Sequence, residues 1–356
     1  MANIALLSYY SGVVDRGVET FTLEIAKRLS KKHKITIFQG GRLIQNPAIR
    51  TYFINSFAAR PKSSWGIFSK IYLDLESFKI FLFTIKATPK ILKGNFDIVI
   101  PLNGGWQIVL IKILSFFSKY KIIVSGQAGI GSDGAWNIFF HPNLFVAPTT
   151  PQKIWASKLT NEVEIVYIPN GVDLSRFHPK VKPQKIDLPK PIVVCASSLD
   201  PYKRIDLTIK AVAKTNDLSL LVLGDGQMRG YLDSLGKRLL NHRYKRIAVP
   251  HQDIAAYYKT GDVFTLVSKT EAFGISYVEA LACNLPVVAT NDDTRKEIIG
   301  DAGILTEPEN LNKYAIDLKI AASTNYRNIP YDQALKFSWN KIAQLYLKQI
   351  EILLKK

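Results

Sequence analysis

The sequence predicts an α/β protein built from two parallel-sheet units. Three observations lead there. Short apolar, β-rich runs alternate with stretches whose apolar residues recur at helical spacing. The alternation passes through the first half of the chain and starts again in the second. Between the halves lies YIPNGVDLSRFHPKVKPQKIDLPKP (167–191), dense in Pro, Lys and turn residues, which reads as a connection between domains. A chain of 356 residues that is 47% hydrophobic suits two domains with substantial cores.

The elements follow in order. NIALLSYY (3–10) is a strand that passes into a glycine-bearing loop, and GVETFTLEIAKRLSKK (17–32) is an amphipathic helix. KITIFQG (34–40), FDIVIPL (96–102) and KIIVSG (121–126) are further strands, so the first half has βαβ logic. In the second half PIVVCASS (191–198), LSLLVLGDG (218–226), DVFTLVS (262–268) and LPVVAT (285–290) are strands, each ending in Gly, Ser or Thr. RIDLTIKAVAKT (204–215) and ISYVEALACN (275–284) are the helices between them. SWNKIAQLYLKQIEILLKK (338–356) is an amphipathic helix that either ends the second domain or packs back on the first. The expected domains are therefore 1–170 and 171–338, with helix 339–356 open to either.

Composition removes several classes. Cys195 and Cys283 are too few for a disulfide framework and lack metal-ligand spacing, which fits a reducing compartment. No basic flank precedes the first apolar run, so no signal peptide is expected. The apolar stretches QIVLIKILSFF and FKIFLFTIKA are broken by Lys and fall short of the roughly 18 residues of a membrane span. The expectation is a cytoplasmic protein, soluble or peripheral on the inner face of the cell membrane.

The net charge of +18 is uneven: residues 1–121 hold 18 Lys and Arg against 6 Asp and Glu, and the rest of the chain holds 29 against 23. An anionic lipid surface, a nucleic acid or a phosphorylated substrate could each exploit that excess, as could plain solvation. No nucleic-acid module or regular basic-aromatic pattern is present, so no nucleic acid partner is expected.

Ligands of open parallel sheets bind beyond the carboxyl ends of the strands. In the first half the earliest loop of that kind, SGVVDRGVE (11–19), could face a phosphate with the amide at Gly17, although a strand-to-helix turn also explains the glycine. The stronger stretch is SKTEAFGISYVEALACNLPVVAT (268–290). A helix beginning near Gly274 would present the amides of Phe273, Gly274 and Ile275 to a diphosphate, favoured by hydrogen bonds and by the helix dipole.

Carboxylates repel phosphate but accept from hydroxyl pairs. Glu279 lies about five residues into that helix, about 7.5 Å along its axis, and Glu271 precedes the tip. A ligand with phosphates in the middle and hydroxylated rings at both ends, a nucleotide sugar, fits this order. The plain alternative makes Glu271 a helix cap and Glu279 a solvated helix residue.

These residues carry a family resemblance. EAFGISYVEALACNLPVVAT is similar to the E-x7-E signature and Pro-Val-Val strand of the retaining glycosyltransferases of family 4. YIPNGVDLSRFHP resembles that family's interdomain segment, and LDPYKRIDLTIKAV its phosphate-binding lysine loop. LLVLGDGQMRGYL, DAGIL and RGVETFTLEIAKRL add to the likeness across nearly the whole chain.

The resemblance implies an α/β GT-B fold, two Rossmann-like domains facing each other across a cleft, with the acceptor on the first domain and the nucleotide-sugar donor on the second. It implies that Glu279 binds the ribose, that Glu271 binds the transferred sugar near the reacting carbon, and that Lys203 serves both catalysis and the diphosphate. Gly17, Phe273, Gly274 and Ile275 would join Lys203 there. It also implies that a hexose moves to a glycan or lipid-linked acceptor, as in cell-surface polysaccharide or glycolipid synthesis, with no metal and no further cofactor. Asn291–Thr294 (NDDT) is then a loop near the donor.

Three departures qualify this. Ser198 stands where the family has a phosphate-binding arginine, with Arg204 or Arg16 as candidates to compensate; Arg16 itself replaces a glycine; and Gln127 stands where many relatives have a histidine. Gln127 and Trp106 are the expected acceptor-side residues. Residues 60–93 mix seven Lys or Arg with aromatics, which suits either peripheral contact with an anionic membrane or a helix pair packed on the sheet. A lapsed, non-catalytic subunit and an epimerase of the same fold remain the alternatives.

Overall fold

The computed structural model describes residues 1–14, 16–41, 46–56 and 72–356. Two compact units result: Met1–Asn170 together with Trp339–Lys356, and Gly171–Ser338.

The first unit holds a seven-stranded sheet with every pairing parallel. Its strands are β1 (Asn3–Ser8), β2 (Lys34–Gln39), β3 (Ile49–Phe53), β4 (Ile98–Pro101), β5 (Lys121–Ser125), β6 (Leu144–Ala147) and β7 (Glu164–Tyr167). They lie in the order β3-β2-β1-β4-β5-β6-β7. The inner strands read as near-continuous apolar runs because helices cover both faces of a parallel sheet. The helix Leu75–Lys93 starts where the Asp74 carboxylate accepts from the amides of Glu76 and Ser77. It buries Phe83, Ala87 and Ile91 and leaves Leu75, Phe78, Ile85 and Leu92 exposed on its opposite side.

Helix Trp339–Lys355 belongs to this unit. Phe21 of helix Gly17–Leu29 packs 6.0 Å from the Trp339 ring and 5.8 Å from the Tyr346 ring, and Arg28 Nε donates to Asn340 Oδ1 at 2.9 Å. Trp339, Ile342, Tyr346 and Ile350 line its buried face.

The second unit holds a six-stranded parallel sheet, β8 (Ile192–Ala196), β9 (Ser219–Leu223), β10 (Tyr244–Ile247), β11 (Val263–Leu266), β12 (Val287–Thr290) and β13 (Gly303–Thr306). Their order is β10-β9-β8-β11-β12-β13. Its core runs through Val193, Val194, Leu221, Phe264 and Val288. The stretch 171–191, read from the sequence as part of a connection, lies as a strap on this unit. The amide of Gln184 donates to the Ala256 carbonyl at 3.0 Å, and Thr260 Oγ1 donates to the Gln184 carbonyl at 2.8 Å. Phe177 and Leu188 enter the core, and Val181 and Ile186 pack against it. The apolar residues scattered among the prolines and lysines supply that adhesion without forming a helix or strand.

Candidate functional site

Both sheets reverse strand order beside their first strand, and ligands of such sheets bind at that reversal. In the second unit it lies between β8 and β11. The loop after β8 ends in a 3-10 turn, Pro201–Lys203, followed by left-handed Arg204. The loop after β11 carries Ser268 to Gly274.

The two loops are tied together. Lys203 Nζ donates to Glu271 Oε1 at 2.6 Å, with 12% and 11% of the two side chains exposed. Ser268 Oγ donates to the same oxygen at 2.7 Å, and the Lys269 amide donates to the Tyr202 carbonyl at 2.7 Å. Glu271 Oε2 accepts no hydrogen bond among the described residues. Burial pulls the Lys203 ammonium down, but the Glu271 carboxylate, Tyr202 and Asp200 outweigh it and hold the pKa above its ordinary value. Lys203 is therefore charged throughout the neutral range.

Two arginines fix the end of β11. Arg204 donates from Nε to the Val267 carbonyl at 2.6 Å and from Nη2 to Thr290 Oγ1 at 3.1 Å, while its Nη1 pairs with Glu309. Arg295, 2% exposed, donates from Nη2 to the Ser268 carbonyl at 2.8 Å and pairs through Nη1 with Asp292. Arg204, expected at the phosphates, thus spends most of its five N–H groups on carbonyls and neighbours of the loop.

The helix Ile275–Ala282 follows. Gly274 is its N-cap at φ 86°, and a Cβ there would run into the Tyr277 ring. Glycine is required for that reason and for the left-handed backbone. No side chain caps the helix, so Glu271 is not the cap of the plain reading. Among the described residues the amides of Phe273, Gly274 and Ile275 make no backbone hydrogen bond. Phe273 is buried against Phe337, ring centroids 5.6 Å apart, which anchors the tip.

Glu279 is not a solvated residue either: it is 4% exposed. Its Oε1 lies 2.7 Å from His251 Nε2, and its Oε2 accepts from the Tyr258 hydroxyl at 3.1 Å. Burial, reinforced by the Glu279 carboxylate, raises the Tyr258 phenol well above its usual range, so it remains a donor.

The second unit thus gathers Lys203, Arg204, Glu271, Phe273, Gly274, Ile275 and Glu279 about its β11 loop and the helix that follows. Ser198 turns away to its own neighbour, Oγ donating to Asp200 Oδ2 at 2.7 Å. Gly17, Trp106 and Gln127 belong to the first unit. Gly17 opens helix Gly17–Leu29, exposed, behind an extended Arg16 that provides no side-chain cap. Trp106 opens the helix Trp106–Ser118 after β4, with Nε1 donating to the Tyr72 carbonyl at 2.9 Å and its ring edge-on to Phe81 and Trp136. Gln127 pairs with Asn170 through two hydrogen bonds, 2.9 and 2.8 Å, and donates to Ser125 Oγ at 2.8 Å.

Sequence reasoning missed His251, Tyr258 and Arg295. His251 sits in an irregular turn and Arg295 in a charged helix, DTRKEII, whose pattern reads as solvent-facing. No local signal marks either as held against a carboxylate.

Residues 178–328 match the model of the family glycosyl transferases group 1. That match covers most of the second unit. Curated relatives include the GDP-mannose-dependent monoacylated alpha-(1-6)-phosphatidylinositol monomannoside mannosyltransferase of Corynebacterium glutamicum, 29% identical over 167 residues, 41% of this chain and 44% of the relative. The probable sucrose-phosphate synthase of Thermosipho melanesiensis is 28% identical over 205 residues, 53% of this chain and 47% of the relative. The chain thus spans less than half the length of these relatives.

Among solved structures, sucrose-phosphate synthase from Thermosynechococcus elongatus has a TM-score of 0.81 at 18% identity, covering 99% of this chain and 100% of that one. Anabaena HepE in complex with UDP-glucose has a TM-score of 0.73 at 17% identity, covering 99% and 100%. At such identities the likeness establishes fold: α/β, two Rossmann-like parallel-sheet domains of the GT-B type. No helix among the described residues is long and apolar enough to cross a membrane.

Proposed function

We propose that the protein is a retaining glycosyltransferase that moves a hexose from a nucleotide diphosphate sugar to a glycan or lipid-linked acceptor, as in polysaccharide or glycolipid assembly. The observation that carries this reading is the Lys203–Glu271 pair held beside an uncapped helix tip, with Glu279 behind it. The free amides of the tip and the Lys203 ammonium take the diphosphate, and the free Oε2 of Glu271 takes a sugar hydroxyl. The glycosidic bond to the phosphate oxygen breaks, and the acceptor oxygen bonds to the same carbon on the same face. The acceptor's proton goes to the departing phosphate. Fixed donors stabilise the charge that grows there, which is why the reaction is proposed to run without a metal.

The relatives support this chemistry by what they are: a GDP-mannose-dependent transferase in one case and a protein solved with UDP-glucose in another. The test is a panel of nucleotide sugars scored for donor hydrolysis and transfer. Turnover of one donor, lost in Glu271→Ala, is expected; binding of no nucleotide sugar at all would refute the reading.

The first unit is proposed to receive the acceptor and to meet an anionic membrane peripherally from the cytoplasmic side. Phe116 and Phe117, 74% and 78% exposed, end helix Trp106–Ser118 with Lys112 Nζ 5.9 Å from the Phe116 ring, and helix Leu75–Lys93 carries Lys79, Lys86, Lys90 and Lys93 besides its exposed apolar stripe. Within the basic stretch 60–93, residues 60–71 lie outside the described residues. Liposome binding should rise with anionic lipid and fall with salt; a flat response would remove the membrane from the proposal.

A further inference from the structure

Glu279 raises a question of lone pairs. An ionised carboxylate has about four acceptor positions, two on each oxygen. His251 and Tyr258 occupy one on each oxygen, at 2.7 and 3.1 Å. One remains on each, which is the number a vicinal diol needs. A carboxylate held by a single donor could rotate about its terminal torsion; one held at both oxygens cannot without breaking a buried hydrogen bond.

The two donors are themselves held. Tyr258 is fully buried, its ring 6.1 Å from Phe177 and 5.5 Å from Phe264. His251 follows Pro250 in a short 3-10 turn, and its carbonyl accepts from Arg176 Nη2 at 2.6 Å. The Phe177 ring lies 6.0 Å from the His251 ring. Arg176 and Phe177 both belong to the strap that joins the second unit to the chain before it. Against an ionised Glu279, His251 Nε2 must carry the hydrogen, so the pair fixes the imidazole's tautomer as well as the carboxylate's plane.

We propose that His251 and Tyr258 are positioning residues that set Glu279 for the ribose diol of the donor, with the strap residues Arg176 and Phe177 holding His251 in place. This rests on the reading of Glu279 as the ribose acceptor. Neither residue touches the nucleotide; both act through the carboxylate. The expected specificity is for a ribonucleoside diphosphate over its 2′,3′-dideoxy counterpart.

The experiment uses the full chain and isothermal titration with UDP, GDP and ADP, then the dideoxy analogue of whichever binds most tightly. Glu279→Ala should weaken ribonucleotide binding by about tenfold or more, and His251→Leu and Tyr258→Phe each by about three- to tenfold, the range of a lost hydrogen bond. His251→Gln, whose side-chain amide can donate from a similar reach, should recover most of the loss. With the dideoxy analogue all three losses should shrink to within about twofold, because the contact being set is absent.

Losses in His251→Leu and Tyr258→Phe that are equal for ribo and dideoxy ligands would mean a merely structural role and overturn the inference. A loss in Glu279→Ala that is sensitive to the ribose, with no loss in either partner variant, would overturn it while leaving Glu279 in place. Indifference of Glu279→Ala itself would remove the underlying reading instead.

Discussion

The two sheets reverse strand order in the same way, yet the loops at the two reversals are built from different chemistry. In the second unit the loops after β8 and β11 meet through charge: Lys203 on Glu271, with Arg204 and Arg295 fastening the carbonyls of Val267 and Ser268. In the first unit the loops after β1 and β4 meet through neutral groups. The Tyr9 amide donates to Asn103 Oδ1 at 2.7 Å, and an aromatic cluster of Tyr72, Trp106 and Trp136 lies beyond. Of the carboxylates nearby, Asp133 accepts from the Tyr72 phenol, and Glu76 accepts from the Tyr10 phenol and pairs with Lys79 on its own helix. One architecture therefore offers a fixed field for an anionic ligand and, separately, rings and amides for a neutral one. That contrast is what favours donor chemistry on the second unit and an acceptor on the first.

The largest expected effect tests the charged end. Glu271→Ala should lower kcat by about 10²-fold or more, the scale of removing one group that stabilises developing charge, while nucleoside diphosphate affinity stays largely intact. Equal loss of binding and turnover would mean that Glu271 serves the nucleotide and not the sugar. Lys203→Ala comes next: diphosphate affinity should fall by about ten- to a hundredfold, as for a hydrogen bond to a charged group. Unchanged affinity would move the phosphate clamp elsewhere and leave Lys203 as the partner of Glu271 alone. The neutral end gives a smaller and different signature, since Trp106→Ala should raise the acceptor KM without altering nucleoside diphosphate affinity. An effect on the nucleotide instead would erase the distinction between the two reversals.

The contrast was only partly legible in the sequence. Strands buried on both faces announced themselves: IVVCA at β8 and SLLVL at β9 are continuous apolar runs because helices cover them on each side. The strands that escaped notice are mostly at the edges. YKRI at β10 and EIVY at β7 are half-buried along their whole length, and IRTYF at β3 is largely open, so none carries a run that a turn or loop could not.

At the site, E-x7-E was readable because helix geometry converts spacing into distance. The partners of those glutamates were not readable. His251 comes from 28 residues before Glu279 and Lys203 from 68 before Glu271, and only the parallel crossovers bring them together. Arg204 shows the converse: its place in a basic loop suggested phosphate, whereas folding turned it toward carbonyls.

Acidity and alkalinity should loosen the two units from opposite sides. In the second unit, the raised pKa of Lys203 means that its contribution to stability is fully present below the ordinary lysine value and is lost as pH rises through the folded one. In the first, His33 is buried beneath the start of β1, where its Nδ1 accepts from the Ala2 amide at 3.1 Å. Burial, and after it the positive N-terminal amino group, lowers its pKa below the ordinary 6.5. The unfolded chain then binds a proton that the folded chain refuses, so the contribution of His33 is complete above about 6.5 and fades as pH falls toward the folded value. Hydrogen exchange across β1 and β2 should therefore quicken between neutral pH and pH 5, after correction for intrinsic rates, and His33→Phe should flatten that limb. This is the smallest of the expected effects, a single group's titration. An acid limb unchanged in His33→Phe would assign the loosening to the carboxylates.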